Sequence, residues 1–91
     1  MITISGNHIL RGGEKIGWVE GNHIFNNDGH KAGYFTEHEV FDSDGRKLGS
    51  VRGDFVYSGD KEIRLEHFLK DIEGGFESAI ARAAILMIFG S

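Results

Sequence analysis

The sequence predicts a mainly β domain with a C-terminal α-helix, in which four β-hairpin repeats of about 16 residues close around a pseudo-fourfold axis and pack against an apolar helix. Three observations predict it. One phrase recurs four times, as GNHILRGGEKIGWVE, GNHIFNNDGHKAGYFTE, HEVFDSDGRKLGSVRG and the degraded DFVYSGDKEIRL, which together fill residues 6–65. Gly13, Gly29 and Gly45 recur every 16 residues, as do Gly17, Gly33 and Gly49, and Lys15, Lys31 and Lys47. A fixed period marks one supersecondary unit that cannot bury its apolar face alone and is stacked on copies of itself. Beyond Leu65 the period changes to that of a helix.

Within each repeat two short alternating segments, such as His8-Ile9-Leu10 and Lys15-Ile16-Gly17-Trp18-Val19, flank a glycine-bearing tip and read as hairpin strands. The tips are Arg11-Gly12-Gly13, Asn26-Asn27-Asp28-Gly29, Asp42-Ser43-Asp44-Gly45 and Ser58-Gly59-Asp60, with the Asp-Gly chemistry of short or bulged hairpin loops. From the repeat glycine to the Ile or Val of the following copy is always eleven residues (Gly13 to Ile24, Gly29 to Val40, Gly45 to Val56), whereas the tip varies by one. A solvated tip absorbs an insertion, but a one-residue slip in a strand turns every side chain to the wrong face. The expectation is an antiparallel meander of about eight short strands. Ile9, Ile24, Val40 and Val56 form one ring of equivalents, and Leu10, Phe25, Phe41 and Tyr57 another. Successive strand residues face opposite sides, so the two rings cannot share one core, and the second surface needs a partner.

The C-terminal segment is the expected partner. Leu65, Phe68, Leu69, Ile72, Phe76, Ala79, Ile80, Ala83 and Met87 keep the i, i+3, i+4 rhythm, interrupted at Gly74-Gly75, where a kink or a break into two helices is expected. From Ala83 the helix becomes apolar all round, which demands burial on every side. Residues 1–65 then form the repeat region and 66–91 the C-terminal helix of the same single domain. The helical piece from Phe76 to Phe89 would span about 21 Å, short of the ~30 Å hydrocarbon core, and it carries Arg82, so no membrane span is expected.

Composition narrows the function. Ten basic against fourteen acidic residues give a net charge of −4 with no basic cluster, which argues against nucleic acid. No cysteine is present, so disulfides and thiolate metal sites are excluded, and a reducing cytoplasm is the expected compartment. The start MITISGNHIL lacks the basic and apolar run of a signal peptide. No serine sits in an elbow motif, and nothing assembles a base, a nucleophile and an oxyanion site, so no catalytic residue and no enzymatic activity are expected.

The phrase V-x-D-x-D-G-R-K-L-G at Val40 to Gly49, the fourfold copy number and the apolar C-terminal helix together resemble the small bacterial family called the 4-fold beta flower domain, over nearly the whole chain. The resemblance implies hairpin petals about a pseudo-fourfold axis and brings no activity with it. The fourth copy departs from the pattern, because Asp60-Lys61-Glu62-Ile63-Arg64 lacks both glycines.

Three sets of residues could carry a function. The apolar helix surface, Ile80, Ala83, Ala84, Met87, Ile88 and Phe89, reads as an interface for a protein partner or for self-assembly. His8 and His23 are equivalent, and imidazoles facing a common axis could hold a metal or a small anion, with Glu39 at the third equivalent position and Phe55 breaking the ring at the fourth. Trp18 and Tyr34 are equivalent aromatics with Ser50 in the third copy, read mainly as packing residues. The acidic tips begin like calcium loops but lack the bidentate Glu that would complete one, so turn chemistry explains them and no cofactor is expected. A non-enzymatic protein-interaction or self-assembly module is the favoured role, with small-ligand or metal binding as the alternative.

Overall fold

The computed structural model describes residues 1–75 and 78–90. It is mainly β sheet with a C-terminal helix: one ten-stranded sheet and an eleven-residue helix. The strands are β1 (Ile2–Ser5), β2 (His8–Arg11), β3 (Glu14–Glu20), β4 (His23–Asn26), β5 (Lys31–Phe35), β6 (Glu39–Asp42), β7 (Lys47–Arg52), β8 (Phe55–Ser58), β9 (Lys61–Arg64) and β10 (Ile72–Gly74). A short helix α1 (Leu65–Phe68) and a 3₁₀ turn (Leu69–Asp71) separate β9 from β10, and α2 runs over Ala79–Phe89. The order across the sheet is β10-β1-β2-β3-β4-β5-β6-β7-β8-β9, antiparallel throughout except for the parallel pair β1 and β10.

The eight strands read from the repeats are present as β2 to β9, and two more flank them. β1 escaped the sequence reading because it precedes the first copy of the phrase, although Ile2-Thr3-Ile4-Ser5 alternates buried and exposed. β10 corrects the expectation of continuous helix from Leu65. Helical order stops at Asp71, and Ile72 enters the sheet opposite Ile2, where its side chain is buried. A β-branched residue followed by two glycines one position later resists helix and suits a short edge strand. Phe76, with which the second helical piece was expected to begin, lies outside the described residues.

Registers repeat closely. Ile9 pairs Gly17, Ile24 pairs Gly33 and Val40 pairs Gly49, and in each case the register shifts by one at the next residue, a β-bulge that leaves Ile16, Ala32 and Leu48 unpaired. One backbone bond recurs in all four strand pairs: Val19 N to Asn7 O, Phe35 N to Asn22 O, Val51 N to His38 O and Leu65 N to Asp54 O, at 2.7–3.0 Å. The tips of the second and third pairs are built alike. Asn26 Oδ1 accepts from the N–H of Asp28 (3.0 Å) and His30 (3.1 Å), as Asp42 Oδ1 does from Asp44 (2.9 Å) and Arg46 (3.0 Å). These side chains thus fold their own loops. Gly29 and Gly45 follow at φ 87° and 86°, a conformation open to glycine and strained for other residues.

The core lies between the inner face of the sheet and α2. Ile9, Ile24, Val40 and Val56 have no exposed surface, nor do Ala83, Ala84 and Ile85. The helix therefore covers the ring of Ile9, Ile24, Val40 and Val56, a choice the sequence left open, and Leu10, Phe25, Phe41 and Tyr57 stay half-exposed on the far side. α2 packs against β5, β6 and β7. Its end is wedged against the repeat glycines: a Cβ at Gly17 would meet Phe89 at 3.0 Å, one at Gly33 would meet Ile88 at 2.5 Å, and one at Gly49 would meet Met87 at 2.9 Å. Consecutive helix residues point about 100° apart, so three neighbours in sequence reach three separate strands.

Side chains fix both ends of α2. Ser78 Oγ accepts from Ala81 N (3.3 Å), Arg82 donates to the carbonyls of Gly74 (2.6 Å) and Ile72 (2.9 Å), and Arg11 donates to Phe89 O. A Ser78→Ala substitution is expected to cost about 1 kcal/mol, measured as a shift of the urea midpoint with unchanged slope; no shift would mean that the cap bond contributes nothing.

Candidate functional site

Among the described residues no group of three or more His, Asp or Glu side chains is placed to hold a metal ion. His8 and His23 do not face an axis. In β2 and β4 the fully buried Ile9 and Ile24 take the inner positions, so alternation sends both imidazoles outward, His8 into solvent and His23 half-buried beside Tyr34 (ring centroids 6.3 Å apart). The inner face that was to receive them is filled by α2. His23 Nδ1 is buried without a hydrogen-bond partner.

The residues read as a helix interface are covered within the chain to different degrees. Ala83 and Ala84 have no exposed surface, and Ile80, Met87, Ile88 and Phe89 are half-buried against the core. The expected burial on every side holds from Ala83 to Leu86, whereas Met87, Ile88 and Phe89 keep part of their surface exposed. Among the described residues no helix is long and apolar enough to cross a membrane.

The outer face of the sheet lies opposite α2 and carries mostly half-buried side chains, with Ser50 buried among them. Strand pairing sets its side chains in rows: His8, Trp18 and Phe25 across β2, β3 and β4; His23, Tyr34 and Phe41 across β4, β5 and β6; Glu39, Ser50 and Tyr57 across β6, β7 and β8. Trp18 stacks on Phe25 (5.4 Å, 16° between planes) and Tyr34 on Phe41 (4.9 Å, 16°). Lys15 Nζ sits 5.2 Å from the Trp18 ring centre and Lys31 Nζ 4.6 Å from that of Tyr34, each within cation–π range. None of these aromatic side chains belongs to the hydrophobic core. They form a half-exposed band of stacked pairs, with a lysine over the Trp or Tyr ring of each.

In the third row the chemistry changes. Ser50 replaces the aromatic and Glu39 replaces the histidine, and Lys47 Nζ makes an ion pair with Glu39 Oε2 at 2.9 Å. The hydrogen bond from Lys47, and then its charge, hold the Glu39 carboxyl below the usual carboxylate range. In the fourth strand pair Phe55 lies opposite Arg64, whose guanidinium sits 5.8 Å from the ring centre, and Ile63 stands opposite Val56 where the other pairs have glycine. There a cleft of about 240 Å³ opens, lined by Ile63, Phe68, Leu86, His67, Lys70 and Asp71.

Sequence periodicity identified Trp18 and Tyr34 as equivalents and left them as packing residues. It did not show their stacking on Phe25 and Phe41, which depends on register across two different turns. The lysine period was legible, but its meaning was not, because Lys15 and Trp18 are brought together by the bulge at Ile16.

A family model described as 4-fold beta flower protein matches residues 11–82. Neither curated proteins nor solved structures yield a match.

Proposed function

The chain belongs to the 4-fold beta flower protein family, and from that premise we propose that it is a non-enzymatic protein-interaction module of a reducing cytoplasm, binding its partner through the outer face of the sheet. The observation that carries this role is the band of two stacked aromatic pairs, Trp18 with Phe25 and Tyr34 with Phe41, held outside the hydrophobic core of the described residues. Aromatic residues with one apolar face and a polar rim are the side chains most enriched where proteins bind each other.

The arrangement we propose behind that face is four hairpins about a pseudo-fourfold axis, with α2 along the axis. Its support is the near match between the ~100° step of a helix and the 90° of a quarter turn: Phe89, Ile88 and Met87 lie on Gly17, Gly33 and Gly49 in turn, and Leu86 lines the cleft beside Ile63. Of the helix residues Ile80, Ala83, Ala84, Met87, Ile88 and Phe89, the fully buried Ala83 and Ala84 could meet a partner only if the helix left the sheet, which favours the outer face as the binding surface.

The test is to select peptides from a random displayed library on the wild-type chain and on a Trp18→Ser, Tyr34→Ser double variant, which puts in β3 and β5 the residue β7 already holds. Sequences retained by the wild type and lost on the folded variant are expected. A library that enriches nothing, or enriches equally on both, overturns the role assigned to this face.

A further inference from the structure

Glu39 shows what the outer rows accept. In three strand pairs the same three positions come together: His8, Lys15 and Trp18; His23, Lys31 and Tyr34; Glu39, Lys47 and Ser50. The third set is neutralised within the chain, by a carboxylate 2.9 Å from its lysine. In the first two an imidazole stands where that carboxylate would be, and neither Lys15 nor Lys31 has a carboxylate partner among the described residues. Each ammonium is held over an aromatic ring with N–H donors to spare, and opposite that aromatic residue on the neighbouring strand stands a histidine that can donate as well.

Resting on the interaction role assigned above, we propose that the His8, Lys15, Trp18 and His23, Lys31, Tyr34 clusters are two equivalent receiving sites for carboxylates on an acidic segment of a partner protein. The equivalent positions are two strands apart, roughly 10 Å at the usual strand spacing, close to the ~9 Å rise of one three-residue turn of polyproline II, which returns every third side chain to the same side. The partner segment is therefore expected to carry acidic residues at every third position, with apolar residues between them for the edges of Phe25 and Phe41. The occupied ring faces favour such a segment over single-stranded nucleic acid. The Trp18 and Tyr34 rings already have a stacked neighbour on one side and a lysine close by, leaving no open face for a base.

Fluorescence anisotropy with a fluorescein-labelled peptide repeating Glu-Phe-Gly tests this, against matched Gln-Phe-Gly and Lys-Phe-Gly peptides and oligothymidylate. The acidic peptide alone is expected to bind, about tenfold more weakly to a Lys15→Gln, Lys31→Gln chain. A His8→Glu, His23→Glu chain, which supplies both lysines with their own carboxylates as Glu39 does for Lys47, is expected to lose binding while its circular dichroism and thermal midpoint stay those of a folded protein. Equal binding of the Gln peptide, preference for oligothymidylate, or binding untouched by the His→Glu pair would overturn the carboxylate sites. If the displayed library yields peptides that need Trp18 and Tyr34 but lack acidic residues, the carboxylate sites fall and the interaction role stands; if it yields none, both fall.

Discussion

A Gly33→Ala chain is expected to unfold at lower temperature and lower urea concentration than the wild type, by about 1–3 kcal/mol, the usual penalty of forcing a methyl group into a filled core. Alanine in a strand ordinarily gains ~0.5–1 kcal/mol over glycine, so the sign of the change decides whether close packing or backbone entropy governs this position. Packing should win. The added Cβ would lie 2.5 Å from Ile88 Cδ1 and 2.5 Å from the carbonyl oxygen of Phe41. The first obstacle is the end of a flexible side chain; the second is the backbone of β6, fixed by its pairing with β5. Adding Ile88→Ala should therefore recover only part of the loss, and a double-mutant cycle would measure that part. A stabilised Gly33→Ala chain would mean that helix and sheet are not in contact at this strand.

Deleting residues 76–91 is expected to have a still larger effect: no cooperative unfolding transition, strong binding of hydrophobic dyes, and collapse of amide dispersion. Ile85 and Leu86 are buried in the core, and each contributes on the order of 1.5–3 kcal/mol by leaving water. Their removal also uncovers Ile9, Ile24 and Val40, which in the whole chain have no exposed surface. Total stabilities of about 5–15 kcal/mol leave no room for such a loss in a small domain. A truncated chain that remained a folded monomer, with its outer face still competent, would show that the sheet supports itself and that α2 is an accessory.

Periodicity made the strands legible. Recurring Ile and Val against recurring Gly gave β2 to β7 with their tips, and the fourth copy of the phrase gave β8 and β9 without the repeat glycines, because a strand's period of two and a turn's need for glycine or an Asx side chain are local properties of the chain. β10 was not legible. Ile72 keeps helical spacing with Phe68 and Leu69, and only the presence of β1, folded alongside it from the other end of the chain, turns it into a strand. Tertiary pairing overrode a weak local preference there.

The outer face of the sheet divides in the same way. That His8, His23 and Glu39 are equivalent, and that Lys15, Lys31 and Lys47 are, was determined by the sequence alone, since spacing is a property of the chain. Which side of the sheet they occupy was decided only by the tertiary structure. An apolar helix and two apolar rings allow either ring to be covered, and the choice fell on the ring paired with Gly17, Gly33 and Gly49. Only a strand face without side chains at those positions lets a helix approach closely enough to bury Ala83 and Ala84 completely. Filling the inside left the histidines, lysines and aromatic pairs on the outside.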